Sequence, residues 1–126
     1  MLKQAEMLFK AAGDRTRLRI LKMLEAGPLC VCQIVEILGL CQSAVSKHLS
    51  ILSGVGLIDD ERQGKWTFYR LAKPRIPEVH LLLKTVRSCA CDDPQVAKDK
   101  AKVASEKIRS LPKCLPPRQQ ERRVTA

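Results

Sequence analysis

The chain has 126 residues, enough for one domain of ordinary size. It is 45% hydrophobic but only 3% aromatic, so its core must rest on Leu, Ile, Val, Ala and Met, a mixture that suits helices and tells against a β-sandwich or barrel. Lys and Arg number 23 against 13 acidic residues, a formal charge of +10, which points to a polyanionic partner and first of all to nucleic acid; no run approaches the roughly 20 apolar residues that span a bilayer, so no membrane partner is expected.

The opening residues MLKQAEMLFKAAG carry Lys3, Glu6 and Lys10 at helical spacing and no apolar signal core, so they read as a helix and not as a signal peptide. Leu2, Ala5, Leu8, Phe9 and Ala12 recur with that period, and Gly13 ends it. Asp14 is a good N-cap for a second helix with Leu18, Leu21 and Leu24 on one face, stopped by Gly27-Pro28. Val31, Ile34, Val35 and Leu38 mark a short third helix closed by Gly39. A fourth helix begins after Leu40, turns Val45, Leu49 and Leu52 inward, and ends at Gly54 or Gly56.

Two short helices joined through Gly39 and Leu40 form a helix-turn-helix. Residues 57–62 and 66–71 then flank Gln63-Gly64-Lys65, the pattern of a β-hairpin with a glycine turn. The expected fold is therefore mainly α with a β-hairpin, a winged helix-turn-helix. Pro74 and Pro77 introduce a fifth helix with Val79, Leu82, Leu83 and Val86 as its apolar stripe, broadened by Leu81. Asp93 and Pro94 start a last helix, whose narrow apolar edge of Val96, Ala97, Ala101, Ala104, Ile108 and Leu111 runs between lysines to Pro112. The organisation that follows is a DNA-binding and dimerisation domain over 1–91, a basic amphipathic helix over 92–111, and a disordered tail over 112–126.

Residues 13–71 resemble the ArsR/SmtB family of metal-sensing winged-helix repressors. The resemblance rests on Gly13-Asp14-Arg15-Thr16-Arg17-Leu18, on Leu29-Cys30-Val31-Cys32, on the run from Gln42 to Leu49, and on Gly56-Leu57-Ile58. It implies a homodimer joined through the first and fifth helices. It also implies a protein that holds double-stranded operator DNA until a metal or metalloid releases it. The Leu29-Cys30-Val31-Cys32 piece resembles the arsenite-sensing branch, which usually has Glu before the Leu and a third Cys three residues after the second. Here Pro28 and Val35 stand at those positions.

For DNA contact the candidates are Gln42, Ser43, Ser46, Lys47 and His48 near the start of the fourth helix. A helix N-terminus offers N–H groups to phosphate, Gln can reach an adenine edge, and Ser suits either base or phosphate. At the wing tip Arg62 and Lys65 fit phosphate or minor-groove contact, with Gln63 and Arg70 beside them, while Asp59, Asp60 and Glu61 confine contact to that tip.

A cytoplasmic chain keeps its thiols reduced, so its six cysteines read as metal ligands or redox sensors and not as staples. Cys30 and Cys32 open the third helix, where the helix N-terminus favours thiolate and thiolate favours soft ions. At i and i+2 they share no face of a regular helix, so they converge only if Cys30 lies outside it or the first turn distorts. Cys41, Cys89 and Cys91 are the candidates for a further donor, and Cys114 reads as an inert tail thiol. The expected inducer is trivalent arsenic, as arsenite or methylarsenite, or antimonite. Competing readings are a sensor of cadmium, lead or zinc, a metal-free thiol-redox switch, and a basic 94–123 segment that binds a partner or nonspecific DNA. Glu78 and His80 are too few for a zinc site on the fifth helix. No catalytic constellation is present, so no enzyme activity and no organic cofactor are expected.

Overall fold

The computed structural model describes residues 2–111. Helix α1 (Leu2–Ala12) buries Leu8, Ala11 and Ala12. Asp14 caps α2 (Arg15–Met23) by accepting from the Arg17 amide at 3.0 Å, which holds its carboxyl below the usual carboxylate range. A 3-10 turn over Leu24–Ala26 then leads to Gly27. Strand β1 (Leu29–Cys30) follows, and α3 (Val31–Leu38) starts directly from it. Gly39 ends α3 in the left-handed conformation, φ 70°, which a residue with a Cβ rarely adopts. Helix α4 (Gln42–Gly54) turns Val45, Leu49 and Leu52 fully inward, as their spacing predicts.

The hairpin forms as expected, from β2 (Ile58–Gln63) and β3 (Trp66–Leu71), with Gln63 paired to Trp66. Gly64 occupies the first turn position with φ 63°, the placement that matches strand twist in a two-residue loop. The sheet has one strand more than the sequence reading gave it. The two-residue β1 pairs antiparallel with β3, Leu29 to Tyr69 and Cys30 to Phe68, so the order is β1-β3-β2. This pairing ties the entrance of α3 to the base of the wing.

Helix α5 (Pro77–Ser88) turns its expected apolar stripe onto the chain's own core. Val79 and Val86 are buried within the chain, and Leu82 and Leu83 pack partly against the same core. The buried Lys22 ammonium reinforces this docking by donating to the carbonyls of Val86 and Arg87 at the end of α5, at 3.1 and 3.2 Å. Large apolar side chains left exposed are Leu2, Met7 and Phe9 of α1, Leu40 before α4, and Leu81 of α5.

The C-terminal segment departs from the single helix expected of it. It is two helices, α6 (Pro94–Ala104) and α7 (Glu106–Arg109), separated at Ser105, whose extended backbone and side chain cap α7. Val96 and Ile108 are buried, and α6 packs on α2 and α3. Arg19 of α2 donates twice to Asp99, at 2.9 and 3.0 Å, and Gln95 adds a third bond to the same carboxylate. Asp99 is 1% exposed, so its charge is out of water and depends on these partners. Replacing Asp99 with Ala strands the Arg19 guanidinium and is expected to cost about 3 kcal/mol, read as a lower midpoint in urea unfolding. A loss under about 1 kcal/mol would show that the pair contributes little. Residues 112–126, including the predicted tail and Cys114, lie outside the described residues.

Candidate nucleic-acid interface and thiol pair

Because Val45 and Leu49 anchor one face of α4 in the core, the opposite face is turned to solvent. Gln42, Ser43, Ser46 and Lys47 are all exposed there, in the first turn and a half of the helix. Cys41 is the N-cap residue, and its thiol lies 3.3 Å from the Ser43 hydroxyl. That contact, with the Ala44 amide behind it, holds the Cys41 thiol below its ordinary range.

His48 differs from the other four. It is half-buried, and its Nδ1 lies 3.2 Å from an Arg17 Nη1. A guanidinium only donates, so Nδ1 accepts and Nε2 carries the ring proton. Arg17 also donates to the carbonyls of Ala11 and Lys10 at 2.7 and 3.1 Å, closing the C-terminal end of α1. One side chain thus fixes the end of α1 to α4. Sequence reasoning missed this role, because a lone Arg beside an N-cap carries no signal of a partner 31 residues away.

In the wing, Arg62 and Lys65 are exposed at the tip. Arg70 is ion-paired with Glu61 at 3.3 Å, and Asp59 with Arg75 at 3.3 Å, so two of the three acidic residues are partly neutralised. Gln63 is buried, and its Oε1 has no hydrogen-bond partner among the described residues.

The structure resolves how Cys30 and Cys32 relate. Cys30 lies outside α3, as its extended N-cap residue, while Cys32 is in the first turn. This placement lets the two thiols meet. The hydrogen bond between them is the main cause that pushes the Cys32 thiol far above its ordinary range, with burial and charge on Cys30 next. Cys30 is 0% exposed and packs against Phe68, with Cys32 and Trp66 beside them. The Cys30 amide donates to Gln33 Oε1 at 2.9 Å, and Gln33 Nε2 donates to the Ile108 carbonyl at 2.9 Å. The buried Gln33 therefore joins the start of α3 to α7.

The other cysteines do not join this pair. Among the described residues no three His, Cys, Asp or Glu side chains come together as a metal site. Cys41 is exposed at the start of α4. Cys89 and Cys91 are exposed beyond the end of α5 and flank Ala90, whose φ is 55°. Their thiols turn back on that helix, Cys89 onto the Val86 carbonyl at 3.2 Å and Cys91 onto that of Arg87 at 3.3 Å.

Comparison with known proteins agrees with this architecture. An uncharacterised helix-turn-helix transcriptional regulator of Methanocaldococcus jannaschii is 43% identical over 77 residues, 60% of this chain and 86% of that protein. The arsenical resistance operon repressor of Escherichia coli is 48% identical over 71 residues, 56% of this chain and 60% of that protein, so the match spans less than two thirds of its length. Reduced HlyU from Vibrio cholerae superposes with a TM-score of 0.60 at 32% identity, over 71% of this chain and 90% of that one. These neighbours are transcriptional regulators and not enzymes. Residues 14–60, from the N-cap of α2 into the first wing strand, match the family described as bacterial regulatory protein, arsR family. With the helix-turn-helix, the wing and the overall fold all in agreement, the chain belongs to the ArsR family of helix-turn-helix DNA-binding regulators.

Proposed function

We propose that the protein is a cytoplasmic, homodimeric repressor that leaves its operator when trivalent arsenic or antimony is bound by Cys30 and Cys32. The observation that carries this reading is the packing of Cys32 against Cys30 at the entrance of α3, directly before α4. Two adjacent thiols are a chelating set for a thiophilic trivalent element. A tetrahedral zinc site wants four N or S donors, which favours the metalloid over zinc. The arsenical resistance repressor among the relatives supports the same choice.

Gln42, Ser43, Ser46 and Lys47 contact DNA, His48 presents its Nε2–H, and Arg62 and Lys65 reach the backbone from the wing. The dimer forms through α1 and α5. Leu2, Phe9 and Leu81, at 86, 70 and 61% exposed, offer the apolar surface that a partner chain covers. Ligation acts on both DNA-contacting elements, because Cys30 is at once the cap of α3, which leads into α4, and a strand partner of Phe68 in the wing.

The test is fluorescence anisotropy on a near-palindromic operator duplex. Ser46→Ala with Lys47→Ala should weaken binding about 10- to 100-fold and flatten the salt dependence by about one unit of log-log slope, the share of one lost phosphate contact. Unchanged affinity would show that α4 is not the reader. Arsenite and antimonite should release the parent protein. Release by peroxide alone would instead support a thiol-redox switch.

A further inference from the structure

We propose that the docked α6–α7 segment is part of the inducer site, because the Ile108 carbonyl, acting through Gln33, positions Cys30 for ligation. This rests on the reading of Cys30 and Cys32 as the inducer site and adds a positioning residue and a distant element that tunes it.

An amide side chain has two unlike ends, an oxygen that only accepts and a nitrogen that only donates. Gln33 is 0% exposed, so both ends need partners inside the protein. Oε1 accepts from the Cys30 amide and Nε2 donates to the Ile108 carbonyl, each at 2.9 Å. A carbonyl cannot donate, so Ile108 dictates which end of the side chain faces Cys30. When that carbonyl withdraws, a buried NH2 group loses a partner and the amide is no longer held in the orientation that serves Cys30.

The bond to Cys30 matters because this residue must stay outside the helix. It is the extended N-cap of α3, with φ −86° and ψ 165°, and Gln33 stands at the third helical position, from which a side chain reaches back to the N-cap amide. In this conformation Cys32 packs against Cys30. Were Cys30 drawn into the helix, the two side chains, two residues apart, would leave on different faces.

Ile108 is kept in place largely by ion pairs. Lys107 pairs with Glu36 of α3 at 2.8 Å, Lys100 with Glu25 at 3.0 Å, and Arg19 with Asp99 at 2.9 Å. The apolar share is small: Val96 and Ile108 are buried, and Val103 and Leu111 are partly so. Segments with few buried apolar contacts open at the lowest cost. Helix α6 packs on α2 and α3, and α7 on α3, whereas α4 is held by its own inward set of Val45, Leu49 and Leu52. Undocking of α6–α7 therefore disturbs the entrance of α3 while α4 keeps its place.

Full-length protein is followed by operator anisotropy, with arsenite as the probe. Gln33→Glu separates two roles. Glu reaches back to an N-cap amide as well as Gln does, but its carboxylate cannot donate to the Ile108 carbonyl. Ile108→Asp places a charge at a buried position of α7 and undocks it without changing any residue of α3. Each variant should need about 10-fold more arsenite for half release, the effect of one lost buried hydrogen bond, and should keep operator affinity within about threefold of the parent. In the Ile108→Asp background, Gln33→Glu should add less than about twofold, because the group it acts through is already gone. Cys30, 0% exposed in the parent, should also be alkylated about 10-fold faster in Ile108→Asp, read by mass spectrometry with no inducer present.

Retained operator affinity checks that each variant folds. Should Ile108→Asp fail that check, Ile108→Ala, which trims the anchor without burying a charge, decides by the same readings. If undocked α7 leaves both the arsenite response and Cys30 alkylation as in the parent, the proposal is overturned. It is equally overturned if the losses in the double variant are fully additive, since Gln33 then acts on α3 alone, or if operator affinity falls in step with the response. If Cys30→Ser responds to arsenite as the parent does, the inducer site itself is misplaced, and this inference falls with it.

Discussion

Cys30→Ser and Cys32→Ser should each bind the operator as the parent does and require at least about 100-fold more arsenite for release, or show no release at all. Losing one sulfur turns a chelate into a single bond, and the intramolecular advantage of the second donor disappears with it. The folded state should survive both changes. Cys30 is the N-cap of α3, where Ser is a better cap than Cys, and its amide keeps the bond to Gln33. Cys32 is only half-buried, so a hydroxyl there still reaches water. Operator release measured by anisotropy checks both variants. If both respond at the parent's inducer concentration, α3 is not the sensor and the exposed Cys89 and Cys91 become the site to test.

The second large effect is in pH. Cadmium-driven release should become more sensitive as pH rises, by about 10-fold per unit for the proton that Cys32 retains. Arsenite-driven release should stay nearly flat from about pH 6 to pH 8. The sign follows from the thiol pair. Contact with Cys30 raises the Cys32 thiol, so Cys32 is protonated across this range and a cation must expel that proton to solution. Lower pH therefore opposes cadmium. Arsenite, As(OH)3, brings its own hydroxides, which leave as water with the thiol protons, and the net proton count does not change. Titrations of release at several pH values distinguish the two. A flat cadmium profile would mean that the pair ionises freely, and a steep arsenite profile would mean that condensation is not the binding step.

Much of the architecture follows from local signals. Asp14 before an apolar repeat, Gly39 after one, and Gly64 between two alternating runs each impose a backbone conformation within a few residues, and each boundary forms where those residues place it. The inward set of α4 follows equally from its period. What local pattern cannot supply is the partner. A two-residue strand carries no periodicity, so β1 exists only because Tyr69 and Phe68 come alongside it. The break at Ser105 depends on α6 and α7 docking against α2 and α3, whereas Ser-Glu within a lysine-rich repeat reads as continuous helix. The stripe on α5 is equally apolar whether a second chain or the chain's own core covers it, and here the core covers most of it. At the candidate site the same division holds. The positions of Cys30 and Cys32 are legible from spacing. Their meeting depends on Cys30 lying outside the helix, and their aromatic cover depends on strand register.

The bridge made by Gln33 has a consequence for the order in which the molecule is completed during synthesis. Its amide joins the Cys30 backbone to the Ile108 carbonyl, 75 residues further along the chain. Closing so long a segment costs entropy that only the intervening packing offsets, so the bond forms after the wing, α5 and α6 are in place. A nascent chain that has emerged as far as the wing already contains every residue proposed to touch DNA and both thiols. It lacks the last anchor on the turn that carries them. The anchor on the entrance of α3 is therefore set later in biogenesis than α4 and the wing, once the residues of α7 have left the ribosome and docked.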